Sequence, residues 1–273
     1  MKLSFNSTAQ DDVSLIHATH FIHDSTEVAS FLKNSGFKII ELAEVSDGKN
    51  THCYQISLNG GYISFKKRNN SATPKVGDSA FTGFGLGTKD IESTQGRLTL
   101  HGFHPLSIEE RKLLFPLAEK GRREIACNVF KLKEGDVFEG EVEFIDVSNS
   151  TKSSTKSAHN NALSHFHAII LHTNKPEETI ARYCWLTDQS SPRRIFGSSW
   201  QIGLNQQKII VCSEEDVERI VPSVDVSNLP SILGYALLTE SLSKTKDCFS
   251  HNELVTQSLN QGSFLVKLPE FIS

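Results

Sequence analysis

The apolar positions of "VSLIHATHFI" (residues 13–22) combine alternation with β-branched residue types, which predicts a strand. The segment that follows, "DSTEVASFLKNSGF", changes to the spacing of a helix. Asp24 or Ser25 can cap the start of this helix, and Gly36 can end it in a left-handed conformation. The pattern therefore predicts a strand that leads directly into a helix.

The same pattern returns in "FTGFGLGTKDIESTQGRLTLHGF". Asp90 corresponds to Asp24, and Gly102-Phe103 to Gly36-Phe37, both at an offset of 66 residues (90 minus 24, and 102 minus 36). Strand-like segments follow each helix, and we expect "SHFHAIILH" to be the last strand of the second copy. A third, shorter copy appears as "QKIIVCSEEDVERIVPSV". The pattern predicts an α+β fold of repeated βαβββ modules with a mixed, mostly antiparallel sheet.

The repeat suggests a division of the chain into domains. We expect residues 12–187 to form one domain of two modules, joined by a linker at residues 68–79. The polar, low-complexity segment "VSNSTKSSTKSAHNNALS" has little to bury, so we expect a flexible insert at residues 146–164. Residues 188–273 would then form a partial or divergent C-terminal module.

Composition indicates the cellular compartment of the protein and the classes of partner that it can bind. The 273 residues carry five scattered cysteines without a C-x-x-C pair, which favours a reducing compartment. No apolar run has the length of a signal peptide or a membrane span, so we expect a cytoplasmic protein without membrane attachment. The formal net charge of −4 gives no general attraction to nucleic acid. A small-molecule partner fits this picture better, and a homodimer is left open.

Histidines are the most conspicuous candidates for chemistry. His17, His20 and His23 are spaced by three residues, which on a helix would place all three on one face. On the predicted strand, His17 and His23 share a face, and His20 points the other way, so the three do not form one metal site. His52 and Cys53 are sequence neighbours on another predicted strand. Their side chains point to opposite faces, so they do not form a nucleophile–base pair.

Two further segments have competing interpretations. The glycines of "TGFGLG", Gly83, Gly85 and Gly87, do not have the spacing of a phosphate-binding loop, and we expect a strand that other groups approach closely. Arg122 and Arg123 have the chemistry to hold a substrate carboxylate. The alternative is that they are solvated residues at the start of a strand.

Three segments carry a resemblance to a known family. The repeat that opens with "IHATHFIHD" and closes with "THCYQISLNGGYISF", together with "SSWQIGLNQ", resembles the vicinal oxygen chelate superfamily, in its glyoxalase-like branch. The resemblance covers residues 12–220. It implies paired βαβββ modules whose sheet surrounds a pocket, with divalent-metal ligands on the first and last strands.

The departures from the family pattern concern the metal site. His17 keeps the first-strand histidine, but Ser64 stands where the family has a glutamate ligand, and Gly83 is at the position equivalent to His17 in the second module. The resemblance places His172 roughly at the position where a carboxylate would complete the set of metal ligands. His17 and His172 are thus the metal-ligand candidates, and the set is incomplete, because serine is a weak ligand at neutral pH.

Other positions match the family in part. Thr51-His52 keep part of a Thr-His-Asn segment, although Cys53 replaces its asparagine, and Trp200, Gln201 and Asn205 match a segment in which Gly203 replaces a histidine. The candidate pocket residues are therefore His17, His52, Ser64, His172, Arg122 and Trp200.

Two functions stay open at this point. The resemblance implies a metal-assisted lyase, isomerase or dioxygenase that acts on a small oxygenated metabolite, with a divalent metal as cofactor and catalytic residues that the sequence does not identify. The alternative is a non-catalytic module for binding a small molecule or a protein, which keeps the fold but has a degenerate metal site. The metal content of the purified protein separates the two.

Overall fold

The strands form two sheets in the computed structural model, one closed into a barrel and one open. The structure describes residues 13–22, 25–46, 49–67, 81–117, 121–148, 158–220, 230–249, 256–259 and 263–266.

The barrel is built from two βαβββ modules. The first consists of β1 (Ser14–Ile22), α1 (Ser25–Asn34), β2 (Ile40–Ser46), β3 (Lys49–Leu58) and β4 (Gly61–Lys67). The second consists of β5 (Phe81–Thr88), α2 (Ile91–Leu100), β6 (Glu109–Leu117), β7 (Gly121–Lys131) and β8 (Glu141–Asp146). The strand order is β1-β4-β3-β2-β6-β7-β8-β5, and β1 pairs with β5 to close the barrel. The predicted α+β fold of βαβββ modules is confirmed.

The two helices of the barrel modules end in the same way. Gly36 and Gly102 both have positive φ, 79° and 84°. In each case the N–H of the following phenylalanine donates to a carbonyl five residues back, from Phe37 to Leu32 and from Phe103 to Leu98. The repeat at an offset of 66 residues is therefore present in the backbone. Asp90 caps α2 by accepting from the Ser93 N–H at 2.9 Å, whereas its predicted counterpart, Asp24, lies outside the described residues.

The second sheet has seven strands in the order β10-β11-β12-β9-β13-β15-β14. A third module comprises β9 (Leu163–Thr173), α3 (Pro176–Thr187), β10 (Arg193–Phe196), β11 (Ser199–Leu204) and β12 (Gln207–Ser213). A 3-10 turn (Glu214–Asp216) and the short α4 (Val217–Ile220) follow. The last module has β13 (Ser231–Thr239), α5 (Leu242–Phe249), β14 (Thr256–Leu259) and β15 (Ser263–Val266).

This arrangement corrects two strand assignments. "SHFHAIILH" is not the last strand of the second module; it belongs to β9, which pairs with β12 and β13 in the second sheet. β8 has that place and runs parallel to β5, as β4 runs parallel to β1. "QKIIVCSEEDVERIVPSV" closes the third module with β12 instead of opening a new copy. The domain bounds stay a prediction, because strand pairing alone does not decide which part of a chain folds independently.

Part of the predicted flexible insert is packed. Asn161 is fully buried, its side chain donates to the Ser35 carbonyl at 2.8 Å, and its side-chain oxygen accepts from the Leu163 N–H. His159 accepts from the Lys38 N–H at 3.0 Å. Residues 159–161 therefore contact the segment that directly follows the first helix. Residues 149–157 and the predicted linker at 68–79 lie outside the described residues.

One large apolar core joins the two sheets. It includes Leu15 and Phe65 from the barrel and Phe166 and Tyr235 from the second sheet. His20 is part of this packing, because its ring stacks on Phe65 at 5.0 Å and meets Tyr235 edge-on. With apolar residues on the outer face of the barrel, the alternate residues of its strands face inward. No helix in the described ranges is long and apolar enough to cross a membrane.

Candidate functional site inside the barrel

β1 places His17 inside the barrel and His20 on the outer face, as the predicted strand requires. His17 is 2% exposed, and its ring stacks on Tyr62 of β4 with centroids 5.0 Å apart. In the strand register His17 lies opposite Gly85, and Gly85 lies opposite Glu143 of β8. The first strand of one module and the last strand of the other thus bring His17 Nε2 within 3.1 Å of Glu143 Oε1.

Arg111 of β6 occupies both carboxylate oxygens of Glu143. Its Nη1 donates to Oε1 at 2.6 Å and its Nη2 to Oε2 at 2.7 Å, which is the two-pronged geometry that arginine and carboxylate favour. The side chains of Arg111 and Glu143 are only 5% and 9% exposed. The pair is therefore a buried ion pair, directed into the barrel next to His17.

The charges continue toward a less buried part of the interior. Arg111 Nε lies 3.6 Å from a Glu44 oxygen, and Lys66 Nζ donates to Glu44 at 2.9 Å. Glu44 and Lys66 are 14% and 13% exposed. We call the five residues His17, Glu143, Arg111, Glu44 and Lys66 the barrel network. Its two acids and two bases alternate, so the formal charges of the four ionic side chains cancel.

Burial and the ion pair fix the protonation states at the closed end. Burial is the largest influence on His17 and lowers its pKa, against the opposing effect of Glu143, so the imidazole is neutral near pH 7. Burial alone would raise the pKa of Glu143, but hydrogen bonds from Arg111 and His17 outweigh it and hold that pKa well below the usual value. Burial opposes the charge on Arg111 as well, and Glu143 more than compensates, so the pKa of Arg111 is raised.

The glycine-rich β5 makes room for these groups. A Cβ at Gly85 would collide with the His17 ring, one at Gly83 with the backbone of Glu141, and one at Gly87 with the Ile16 side chain. The expectation that other groups approach this strand closely is therefore correct. One of those groups is the His17 ring of the candidate site.

The cysteines inside the barrel are not activated nucleophiles. Burial is the main influence on both, and it raises the pKa of Cys53 to about 12 and that of Cys127 to about 11. Both thiols therefore stay protonated at neutral pH, where a nucleophilic cysteine needs to be a thiolate.

The structure separates the two predicted metal ligands. His172 lies on β9 of the second sheet, in register with Cys212 and Ser231, while His17 lies in the barrel. They do not share a site. His172 is fully buried, and its ring nitrogens have no hydrogen-bond partner among the described residues.

The other predicted pocket residues are dispersed. Ser64 is buried on β4 opposite Gln55 of β3, two residues from Tyr62. His52 is 39% exposed and bonds Glu41 at 2.7 Å, on the side of β3 opposite to Cys53. Trp200 lies on β11 in the second sheet. Arg122 is the second residue of β7, and its side chain lies outside the described part.

Sequence reasoning missed Glu143, Arg111, Glu44 and Lys66. In "EVEFID" the acids Glu141 and Glu143 alternate with apolar residues, and such a polar face is usually solvent-exposed. Only closure of the barrel turns this face inward. Short alternating strands in a chain that is expected to form a barrel are the signal that points to such residues.

The residues present do not fit a divalent metal. Within the described residues, no group of three or more His, Cys, Asp or Glu side chains could hold a metal ion. His17 and Glu143 lie on the first and last strands, as a metal site of this kind requires. However, a guanidinium already binds both oxygens of Glu143 and would repel an incoming cation.

Comparison with known proteins supports the fold. No family model and no curated protein matches the chain. Among solved structures, a hypothetical protein from Staphylococcus aureus has a TM-score of 0.56 at 15% identity, with 74% of this chain and 87% of that chain covered. A variant of 4-hydroxymandelate synthase from Streptomyces coelicolor has a TM-score of 0.56 at 12% identity, with 90% and 76% covered.

A third similar structure is the Mn(II)-bound glyoxalase from Novosphingobium aromaticivorans, with a TM-score of 0.55 at 10% identity and 88% and 71% of the two chains covered. The synthase and the glyoxalase are vicinal oxygen chelate proteins. At these identities the similarity establishes the fold and not the activity. The chain has the vicinal oxygen chelate fold, as the sequence motifs suggested.

Proposed function

We propose that the protein is a metal-independent member of this fold class that binds a small molecule and does not perform metal-assisted chemistry. One observation carries this proposal: the Arg111 guanidinium binds both oxygens of Glu143 beside His17. A catalytic metal would need that carboxylate as a ligand and an open coordination position. The ion pair favours the non-catalytic alternative over a lyase, isomerase or dioxygenase that depends on a metal.

We propose that the inner face of β4 is the binding region. Tyr62, Ser64 and Lys66 alternate along β4 with the core residues Ile63 and Phe65, so their side chains share the inner face. Burial raises the pKa of Tyr62 well above its usual value, so its hydroxyl remains a donor. Because the charges of the barrel network cancel, we propose that the ligand is uncharged and is bound through hydrogen bonds.

All five cysteines are free, which fits a reducing compartment, and we propose a cytoplasmic location on that ground. The homodimer left open by the sequence stays a prediction.

Metal analysis tests the first part of the proposal. We expect purified protein to contain clearly less than one equivalent of zinc, nickel, manganese or iron by elemental analysis, and the substitution His17→Ala to leave that content unchanged. Near-stoichiometric metal that is lost in His17→Ala, together with metal-dependent turnover, would contradict the proposal and favour an enzyme.

Thermal-shift measurements test the ligand class. In a panel of polyols, amides, carboxylates and phosphates, we expect only uncharged compounds to raise the melting temperature. Lys66→Met should abolish the shift, because it removes a donor and unbalances the network. Lys112→Met is the matched control, since Lys112 pairs with Glu124 at 2.9 Å, and the two side chains are 41% and 50% exposed. Stabilisation by anions alone, or equal effects of the two substitutions, would refute the assignment.

A further inference from the structure

Three groups that commonly bind metals surround the Arg111 guanidinium. Glu143 contacts it through two hydrogen bonds of 2.6 and 2.7 Å, and Glu44 lies 3.6 Å from its Nε. His17 Nε2 lies 3.1 Å from the Glu143 oxygen that Nη1 also contacts. An imidazole and two carboxylates are ligands that zinc, cobalt and manganese accept.

The buried carboxylate needs a cation. Glu143 is 9% exposed, and an ionised carboxylate at such depth is strongly destabilising unless a positive charge or several hydrogen bonds compensate for it. A side chain of this protein supplies that charge, because the guanidinium of Arg111 is permanently protonated. The glyoxalase of similar fold contains a bound Mn(II). An internal guanidinium and a bound divalent ion are two ways to compensate the charge of a buried carboxylate.

We propose that Arg111 acts as a built-in cation that excludes a divalent metal from a latent site formed by His17 and Glu143. Removal of the guanidinium then converts the barrel into a metal-binding one, with His17 and Glu143 as the protein ligands and water in the remaining positions. This inference rests on the proposed function only in taking the native protein to be metal-free.

The test is metal binding by Arg111→Ala. Co(II) is the probe, because its visible absorption reports coordination by imidazole and carboxylate, and calorimetry gives the stoichiometry. We expect one Co(II) per chain, bound at least about tenfold more tightly than by the native protein. Adding His17→Ala or Glu143→Gln to Arg111→Ala should remove the absorption band and the binding.

A second buried ion pair provides a matched control. Arg182 binds Glu139 at 3.1 Å, and the Glu139 side chain is 1% exposed. Glu139 otherwise contacts Thr179 and Tyr183, with no imidazole in contact with it among the described residues. Arg182→Ala therefore also leaves a buried carboxylate without its cation, but it should not create a Co(II) site. Equal Co(II) binding by the two variants would overturn the proposal.

A folding control keeps the result interpretable. Arg111→Met combined with Glu143→Gln removes both charges at nearly constant volume, and we expect it to fold and to bind no Co(II). If Arg111→Ala is poorly folded without metal, we expect Zn(II) to raise its melting temperature, with no such rise for the double variant. Absence of both Co(II) binding and Zn(II) stabilisation in Arg111→Ala would refute the latent site. Stoichiometric metal in the native protein would refute the proposed function and, with it, the exclusion of metal by Arg111.

Discussion

At the residue scale, the protonation state of Glu143 and of His17 in the barrel network depends on the surrounding groups. Glu143 stays ionised because Arg111 and His17 donate to it, and His17 stays neutral because it is buried. Its Nε2 then donates to Glu143, and its Nδ1 has no hydrogen-bond partner among the described residues. A neutral imidazole here is a positioning group for the carboxylate rather than a second cation.

His17 contributes to the pH dependence of stability. Its pKa is lowered in the folded protein from the usual 6.5, so below that value the unfolded chain takes up the proton more readily. His17 therefore contributes a loss of stability as the pH falls from 7 toward its folded pKa. His17→Gln keeps an N–H donor and does not titrate, so the free energy of unfolding should fall less steeply between pH 7 and 5.

Urea unfolding at several pH values measures this difference. His159, His167 and His172 also have lowered pKa values, so a residual slope remains. His52→Gln is the control, because His52 is on the outer surface and 39% exposed. An identical pH slope in native protein and His17→Gln would show that His17 is not the group responsible.

At the element scale, β5 shows why a strand in this barrel is rich in glycine. The strand is nearly fully buried, pairs with β1 on one side and with β8 on the other, and faces the His17 ring. Glycine is required in this strand because groups that are far away in sequence lie where a side chain would be.

Gly85→Ala tests the closeness of that contact. The new methyl group would overlap the His17 ring and force the ring away from Glu143, so we expect a loss of about 1–3 kcal/mol in the free energy of unfolding. Gly203→Ala in β11 is the matched control, because no atom lies within 4 Å of a Cβ there. It should be neutral or slightly stabilising. If denaturant unfolding gave equal changes for the two substitutions, the close contact would not be a constraint.

The elements show how far the sequence was informative. β1, α1 and the repeat at α2 could be predicted, since their periodicity and terminal glycines are local signals. The end of the second module could not, because β6, "EERKLLFPL", is rich in charged residues and contains a proline, so that "SHFHAIILH" takes the place of the last strand. The site was missed for a related reason. Arg111 and Glu143 are 32 residues apart, and their contact exists only once β6 and β8 belong to a closed barrel.

At the scale of the whole molecule, the barrel and the second sheet are joined by polar contacts as well as by the shared core. Gln207 at the start of β12 accepts from the Leu15 N–H at 2.9 Å. Its side-chain amide donates to the carbonyls of Leu15, Gly60 and Phe166 at 2.9, 2.9 and 3.2 Å. One side chain of the second sheet thus satisfies backbone groups of β1 and of the turn before β4. We infer that the two halves unfold together.

Gln207→Leu tests this coupling. The substitution leaves at least two buried backbone groups without partners, each at about 1–3 kcal/mol, so the free energy of unfolding should fall by about 2 kcal/mol or more. Trp200 reports the second half by fluorescence, and Trp185, whose ring packs on His101, also reports the contact of that half with the barrel modules. Labelling of the buried Cys53 thiol reports the barrel. Because one core includes both halves, we expect both probes to shift to lower denaturant by the same amount.

The control is Gln95→Leu, which removes one exposed hydrogen bond to the Leu106 carbonyl within the barrel modules and should shift both probes much less. A shift of only one probe would show that the halves are separate folding units, and a shift no larger than that of Gln95→Leu would show that Gln207 does not couple them.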